Sequence, residues 1–423
     1  MKVLIATDAF PPLCGGSGWS TYELVRGLRA RGHDVSVVRP RPGQPAGVRT
    51  TDYDGVSVTE MGVFAPDLPY VRNYFKSERL RATLAALLAR MLRQDRFDLV
   101  HAQHVMTAAP SIDAAHAAGV PAVVTVRDYW PVCYWSDLLH TRSGLTLCPA
   151  CTTGHMTQCV RPRAGGAWPL ALPLIPYMRA NLARKRTSLA EADAVIAVST
   201  RLAADLRQRT PELASTRIDV IPNAVDVAAL RARVSAVPPL DVPYALYLGK
   251  LAPNKGTDAL IDVVSRAGLD WPLVVAGDGP GRARLQREAA ASGRDVRFLG
   301  WVDEGAAATW LAHAALLIFP SRGPESLSRV LIEGSALGVP IAAMETGGTR
   351  DIIEPGVTGL LSGSPEALAA DVARLQSDPD LRQRLGAAAA RRVDTLFEAA
   401  SVVARVEQVY RELVKTRQVS RRG

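Results

Sequence analysis

The chain has 423 residues, enough for two or three domains, and its 48% apolar and 22% charged content is that of an ordinary globular protein. A formal net charge of +9 fits an anionic ligand, an anionic membrane surface or nucleic acid without choosing among them. No apolar run is long enough for a transmembrane helix, and MKVLIATDAF is charged too early for a signal peptide. A cytoplasmic location is therefore expected, with the five cysteines as thiols or metal ligands rather than disulfides.

In chain order, the pattern predicts a strand over Val3–Thr7, a glycine loop with Gly15, Gly16 and Gly18, and a helix near Thr21–Arg31. A strand over Val35–Arg39 follows, then a tight turn at Asp54-Gly55. Asp52-Tyr53-Asp54 has the letters of a DxD metal site, but the glycine after it makes it a turn. A basic helix is predicted over Asn73–Arg93. Its bland reading, a face on the protein's own surface, is preferred to a membrane contact. Further strands are predicted at Leu99–Gln103, Ala122–Arg127, Ala194–Ser199 and Ile218–Asn223. Strands separated by helices imply a parallel, doubly wound sheet.

The proline-rich stretch Arg233–Pro243 reads as a linker. A second alternation follows, with strands at Tyr244–Gly249, Leu273–Gly277, Val296–Gly300, Leu316–Pro320, Ile341–Met344 and Thr358–Leu361. The expected domains are 1–233, 244–395 and a C-terminal helix within 396–418 that returns to the first. The fold class is thus α/β, two Rossmann-like domains facing across a cleft, with ligands at the carboxyl ends of the strands.

Asp128–Arg163 interrupts this pattern and reads as an insertion without secondary structure. It carries Cys133, Cys148, Cys151 and Cys159, a candidate tetrahedral thiolate set for a structural zinc; four unrelated thiols are the competing reading. In the apolar-then-basic piece Trp168–Arg186, Pro169, Pro173 and Pro176 deny a regular long helix, and peripheral membrane contact is a candidate role.

Ile318–Glu333, IFPSRGPESLSRVLIE, holds the main candidate site. A strand ends, a loop brings Glu325, and a helical pattern carries Glu333 eight residues on. Eight helical residues rise about 12 Å, so both carboxylates could face one elongated ligand. The N–H groups near Ser326, Leu327 and Ser328 are expected at a helix N-terminus, where they favour phosphate. Lys250 and Lys255 in LGKLAPNKG would stabilise a diphosphate as it leaves. His101 and His104 end a strand and are candidate acceptor-side residues.

Together, GGSG after the first strand, IPNAVD at Ile221–Asp226, LGKLAPNKG, AGDGP at Ala276–Pro280 and the E-x7-E pair Glu325/Glu333 resemble the GT-B glycosyltransferases of family 4. The resemblance covers nearly the whole chain in the family's motif order. It implies a retaining transferase that uses a nucleotide-diphospho sugar, UDP- or GDP-linked, and requires no metal cofactor. Glu325 would hold donor-sugar hydroxyls and Glu333 the ribose hydroxyls. Lys250, Lys255, Gly15, Gly16 and the N–H groups of Ser326–Ser328 would hold the diphosphate, and the backbone of Gly300–Val302 the base. Ser199, Asn223 and Gly277 complete the expected substrate-contacting set. The acceptor would be a saccharide, lipid-linked or natural-product molecule; nucleic acid is not expected.

Two positions depart from the family. Lys250 replaces its usual Arg. Arg127-Asp128 stands where the family often has a His-Asp pair, and an arginine cannot usefully give up a proton. Arg127 is still a candidate catalytic residue through hydrogen bonding, with Asp128 on the acceptor side. The same architecture would serve an NDP-sugar 2-epimerase, or a nucleotide-sugar-binding protein that lost its chemistry at Arg127. The cysteine-bearing insertion resembles one carried by a subset of the family.

Overall fold

Runs such as Val3–Ala6 and Ala122–Val126 are apolar on both faces, which suits strands covered by helices on both sides. The computed structural model describes residues 1–12, 14–66, 74–139 and 147–422. The chain divides into two units. One holds residues 1–136, 150–224 and the C-terminal helix; the other holds 225–398, with 137–149 counted in it.

The first unit is built on eight strands: β1 (Lys2–Ala6), β2 (Asp34–Pro42), β3 (Gly47–Tyr53), β4 (Val56–Val63), β5 (Leu99–Ala102), β6 (Ala122–Val126), β7 (Ala194–Ala197) and β8 (Ile218–Val220). Their order is β3-β4-β2-β1-β5-β6-β7-β8. The expectation of a parallel sheet needs one correction: β3 runs antiparallel to β4 at the sheet edge. The turn joining them explains why. Asp54 and Gly55 both have positive φ, 53° and 69°, the geometry that reverses a two-residue hairpin. The Gly55 N–H donates to Asp52 Oδ1 at 3.0 Å, and Tyr22 donates its hydroxyl to Asp54.

The basic helix is a π-helical turn, Phe75–Arg79, running into an α-helix, Leu80–Gln94; Asn73 lies outside the described residues. Its leucines 80, 84, 87, 88 and 92 are buried on one stripe, and it packs on the helix Val105–Ala118. The segment read as structureless contains a helix, Thr153–Ala164, while its residues 140–146 lie outside the described ones. Thr152 caps that helix by accepting the His155 N–H, and Met156 and Val160 pack with Ile175, Met178 and Leu182. Beyond it come short turns and then the helix Ile175–Ala190, whose Pro176 sits in the first turn, where a missing N–H costs nothing.

The second unit has six parallel strands: β9 (Ala245–Leu248), β10 (Leu273–Ala276), β11 (Val296–Gly300), β12 (Leu316–Phe319), β13 (Ile341–Met344) and β14 (Leu360–Ser362). Their order is β11-β10-β9-β12-β13-β14. This unit begins at Val225, ahead of the proline-rich stretch at 233–243. The short helix Val227–Ala232 packs on the helix Arg329–Ala336, and Arg231 donates to the Ala336 carbonyl at 3.0 Å. The C-terminal helix Ala399–Arg422 buries Val402, Val403, Val406, Val409 and Tyr410 in the core of the first unit. No helix among the described residues is long and apolar enough to cross a membrane.

Candidate active site

In the second unit, loops leaving the carboxyl ends of β9, β10 and β12 converge. The Gly277 N–H donates to the Gly300 carbonyl at 2.7 Å, and Leu251 N–H to the Asp278 carbonyl at 2.9 Å. Gly277 has φ 136°, and a Cβ there would stand 1.9 Å from the Gly249 carbonyl oxygen, so only glycine lets these loops cross. Lys250 is exposed at the end of β9, and Tyr247 donates its hydroxyl to the Lys250 carbonyl at 2.9 Å.

Lys255 follows in a 3₁₀ turn, Pro253–Lys255, and its Nζ lies 2.5 Å from Glu325 Oε1. Ser321 Oγ donates to the same carboxylate oxygen at 2.6 Å. Glu325 is not on the helix. It sits in the loop after β12, and the helix Arg329–Ala336 starts four residues later behind Ser328 as N-cap. The two-turn helical spacing of the two carboxylates is therefore corrected. Backbone pairing sets the loop instead: the Gly348 N–H donates to the Glu325 carbonyl at 2.7 Å. Gly347, φ 53°, lets the chains come this close, since a Cβ there would fall 1.9 Å from that carbonyl. Glu333 is on the helix and takes a 2.6 Å hydrogen bond from Arg329 Nε, one turn earlier. Ser328 makes no side-chain cap bond, Leu327 is buried, and Gly300 and Val302 flank the exposed Trp301.

In the first unit, polar residues gather at the ends of β1, β5 and β6. Arg127 donates to Gln103 Oε1 and Asn223 Oδ1. Because arginine only donates, Gln103 must present its oxygen to Arg127 and its amide N–H to His101 Nε2, 3.0 Å away. Thr125 Oγ1 also lies 2.7 Å from that nitrogen. His101 then carries its proton on Nδ1, facing Tyr410 Oη at 2.5 Å. Burial, with the Arg127 charge adding to it, pulls the His101 pKa down to about 3, so the ring is neutral. His101 is fully buried and engaged on both nitrogens, which does not fit a side chain lining an acceptor site. Asn223, buried, is taken up by Arg127. Ser199, also buried, caps the helix Thr200–Arg209 by accepting the Leu202 N–H at 3.2 Å.

His104 lies beside this network, with Nδ1 3.1 Å from Thr7 Oγ1, and burial followed by Arg127 lowers its pKa to about 3. Asp8, which the sequence pattern did not single out, is beside His104, its N–H 3.4 Å from His104 Nδ1. Its Oδ2 accepts the Met106 N–H at 3.1 Å, and burial pushes its carboxyl up to about 7, with Asp128 adding to the rise. Its position directly after the first strand was the available signal. Asp128 Oδ1 accepts the Trp130 N–H at 2.8 Å; burial raises its pKa, against lowering from hydrogen bonds and Lys185. Gly15 and Gly16 are exposed at the start of the helix Gly16–Ala30.

Cys133, Cys148 and Cys159 are buried and Cys151 partly so, and none is in a disulfide. Cys148 is counted in the second unit and the other three in the first. Among the described residues no three His, Cys, Asp or Glu are grouped to hold a metal ion.

Two Rossmann-like α/β units, one carrying lysines and acidic residues on crossed glycine loops, make up the GT-B fold. Residues 14–229 match the family described as Glycosyltransferase Family 4, and residues 231–392 that described as Glycosyl transferases group 1. The chain belongs to glycosyltransferase family 4 and is a glycosyltransferase. It is 30% identical over 245 residues to alpha-D-kanosaminyltransferase of Streptomyces kanamyceticus, covering 54% of this chain and 63% of that protein. To glycogen synthase of Mycobacterium tuberculosis it is 26% identical over 432 residues, covering 97% and 94%. Among solved structures, sucrose-phosphate synthase from Thermosynechococcus elongatus aligns with TM-score 0.73 at 21% identity, over 98% of this chain and 100% of that one. HepE of Anabaena in complex with UDP-glucose aligns with TM-score 0.69 at 17% identity, over 98% and 100%.

Proposed function

We propose that the protein is a retaining glycosyltransferase that moves a hexose from a nucleotide-diphospho sugar to a saccharide, lipid-linked or natural-product acceptor. One observation carries this reading: Lys255 and Glu325, separated by 70 positions, meet where glycine loops cross at strand ends. Each neutralises the other. A bound donor would divide them, the ammonium turning to the diphosphate and the carboxylate to sugar hydroxyls. Lys250 adds a second cation, Glu333 on its helix would take the ribose hydroxyls, and the backbone at Gly300–Val302 would meet the base.

The acceptor hydroxyl then attacks the anomeric carbon on the face the diphosphate leaves. The carbon–diphosphate bond breaks and the hydroxyl proton passes to the departing phosphate oxygen. Lys250 and Lys255 would stabilise the charge that builds on the leaving group. The UDP-glucose complex of HepE supports a nucleotide-sugar donor. For location, the solvent-exposed Leu170 in the proline-rich turns supports contact with an anionic membrane surface, which co-flotation with anionic vesicles checks.

The test is a thermal-shift screen of UDP-, GDP-, ADP- and TDP-sugars, followed by release of nucleoside diphosphate with the best of them. Stabilisation by one donor class and turnover with it are expected. Full turnover by Glu325→Ala would overturn the site assignment.

A further inference from the structure

On the first unit, the helices Phe75–Arg79, Leu80–Gln94, Val105–Ala118 and Ile175–Ala190 border an open pocket. Glu78, Arg81, Met106, Asn181, Arg184 and Lys185 line it. That is three cations against one carboxylate. Two of the cations are already matched. Arg81 makes a two-pronged ion pair with Asp113, 2.7 Å on each arm. Arg184 donates to Glu78 at 2.6 Å, and Asn181 Nδ2 donates to the same oxygen at 3.0 Å.

Lys185 is left over. Among the described residues its ammonium makes no ion pair and no hydrogen bond, and it stands 5.6 Å from the centroid of the Tyr134 ring. Burial lowers its pKa, and the opposing charges of Asp128, Glu78 and Cys133 do not make up for it. Asn181 is 4% exposed, and its Oδ1 is buried without a donor. The chain uses lysine sparingly, six among fifty basic residues, so a compact ammonium at this wall is not the chain's default cation. Met106 belongs to the first turn of the helix Val105–Ala118, whose positive end adds to the same field. Its N–H holds Asp8, so the pocket adjoins the polar cluster at the ends of β1 and β5.

We infer that this pocket binds an anionic group of the acceptor, a phosphate or a carboxylate, with Lys185 as its counter-ion and Asn181 Oδ1 taking a hydroxyl from it. The assignment to the acceptor rests on the transferase reading; the anion site itself does not. It narrows the acceptor class to charged sugars or sugar phosphates.

Reductive ¹³C-dimethylation, which keeps each lysine charged, gives one side-chain signal pair for each of six lysines in the full-length protein, and Lys185→Arg assigns the relevant one. Inorganic phosphate and acetate are titrated in separately, with potassium chloride at matched ionic strength as control. Saturable movement of the Lys185 signal with phosphate alone supports a phosphate group; movement with acetate as well supports a carboxylate. Calorimetry on Lys185→Met should show phosphate affinity lowered at least about tenfold, the loss of a charge-assisted bond. A Lys185 signal that neither anion moves, or that chloride moves equally, overturns the proposal. UDP, GDP, ADP and TDP are added last, each to a separate sample: if none shifts Lys250 and Lys255 while phosphate shifts Lys185, the donor reading fails and the anion site stands.

Discussion

Lys255 Nζ and Glu325 Oε1 form a 2.5 Å ion pair that ties the loop after β9 to the loop after β12. Neither side chain is fully buried, at 32% and 12% exposure, so the pair can open without a large desolvation cost. If both residues act on the same donor, their effects will not add. Glu325→Gln and Lys255→Ala should each lower kcat/KM by about 10²–10³, and the double variant should lose far less than the product of the two. Steady-state kinetics of nucleoside diphosphate release with the best donor measure all three. Additive losses would mean the two residues work independently.

Arg127 holds Gln103 and Asn223 in place, and through Gln103 it fixes the tautomer of His101. Removing it leaves buried acceptors without donors. Arg127→Ala should therefore destabilise the protein by about 2–4 kcal/mol, seen as a lower urea midpoint. Arg127→His should restore little of that, because an imidazole cannot reach two acceptors at once. Wild-type stability in Arg127→His would instead mean that the network is dispensable.

Asp8 carries a carboxyl raised to about 7, chiefly by burial. Its contribution to stability is whole below its unfolded pKa of 3.8 and is lost as pH rises through about 7. Asp8→Asn keeps an acceptor for the Met106 N–H and removes the charge. It should be more stable than wild type above pH 7, by about 2–4 kcal/mol at 1.36 kcal/mol for each unit between the two values. Thermal midpoints should diverge in that direction at both pH 5 and pH 8.5, and more widely at pH 8.5, because the loss builds from pH 3.8 up to about 7.

Glu407 on the C-terminal helix behaves oppositely. Burial would raise its pKa, but hydrogen bonds from Arg411, Arg31 and His33 outweigh that and hold it near 2. Arg31 Nε is 2.5 Å away and His33 Nε2 3.0 Å. The stabilisation is present above the unfolded value of 4.5 and is lost as pH falls toward 2. Glu407→Gln should lower stability at pH 7 by about 1–3 kcal/mol and flatten the acid limb of the unfolding curve between those two pH values.

Much of the architecture was legible locally. A strand such as Leu316–Phe319 is set by its own apolar run, and Gly277 by the sharp turn its neighbours need. The helix at Thr153–Ala164 was missed because its signal is weak: a threonine cap and a short buried stripe, with Pro162 inside it. Glu325 and Glu333 were found by spacing, yet spacing suggested a shared helix. A backbone bond from Gly348 holds Glu325 in a loop instead.

The sequence by itself determined the alternation of strands and helices, the family motifs and the identity of the charged residues at strand ends, because each depends on neighbours within a few positions. Only the tertiary structure decided which of those charges meet. Lys255 finds Glu325 across 70 positions, His101 finds Tyr410 across 309, and Lys185 stands over the Tyr134 ring. Long-range pairing follows from how sheets and helices pack, and a charge in a sequence carries no mark of the partner that packing will bring to it.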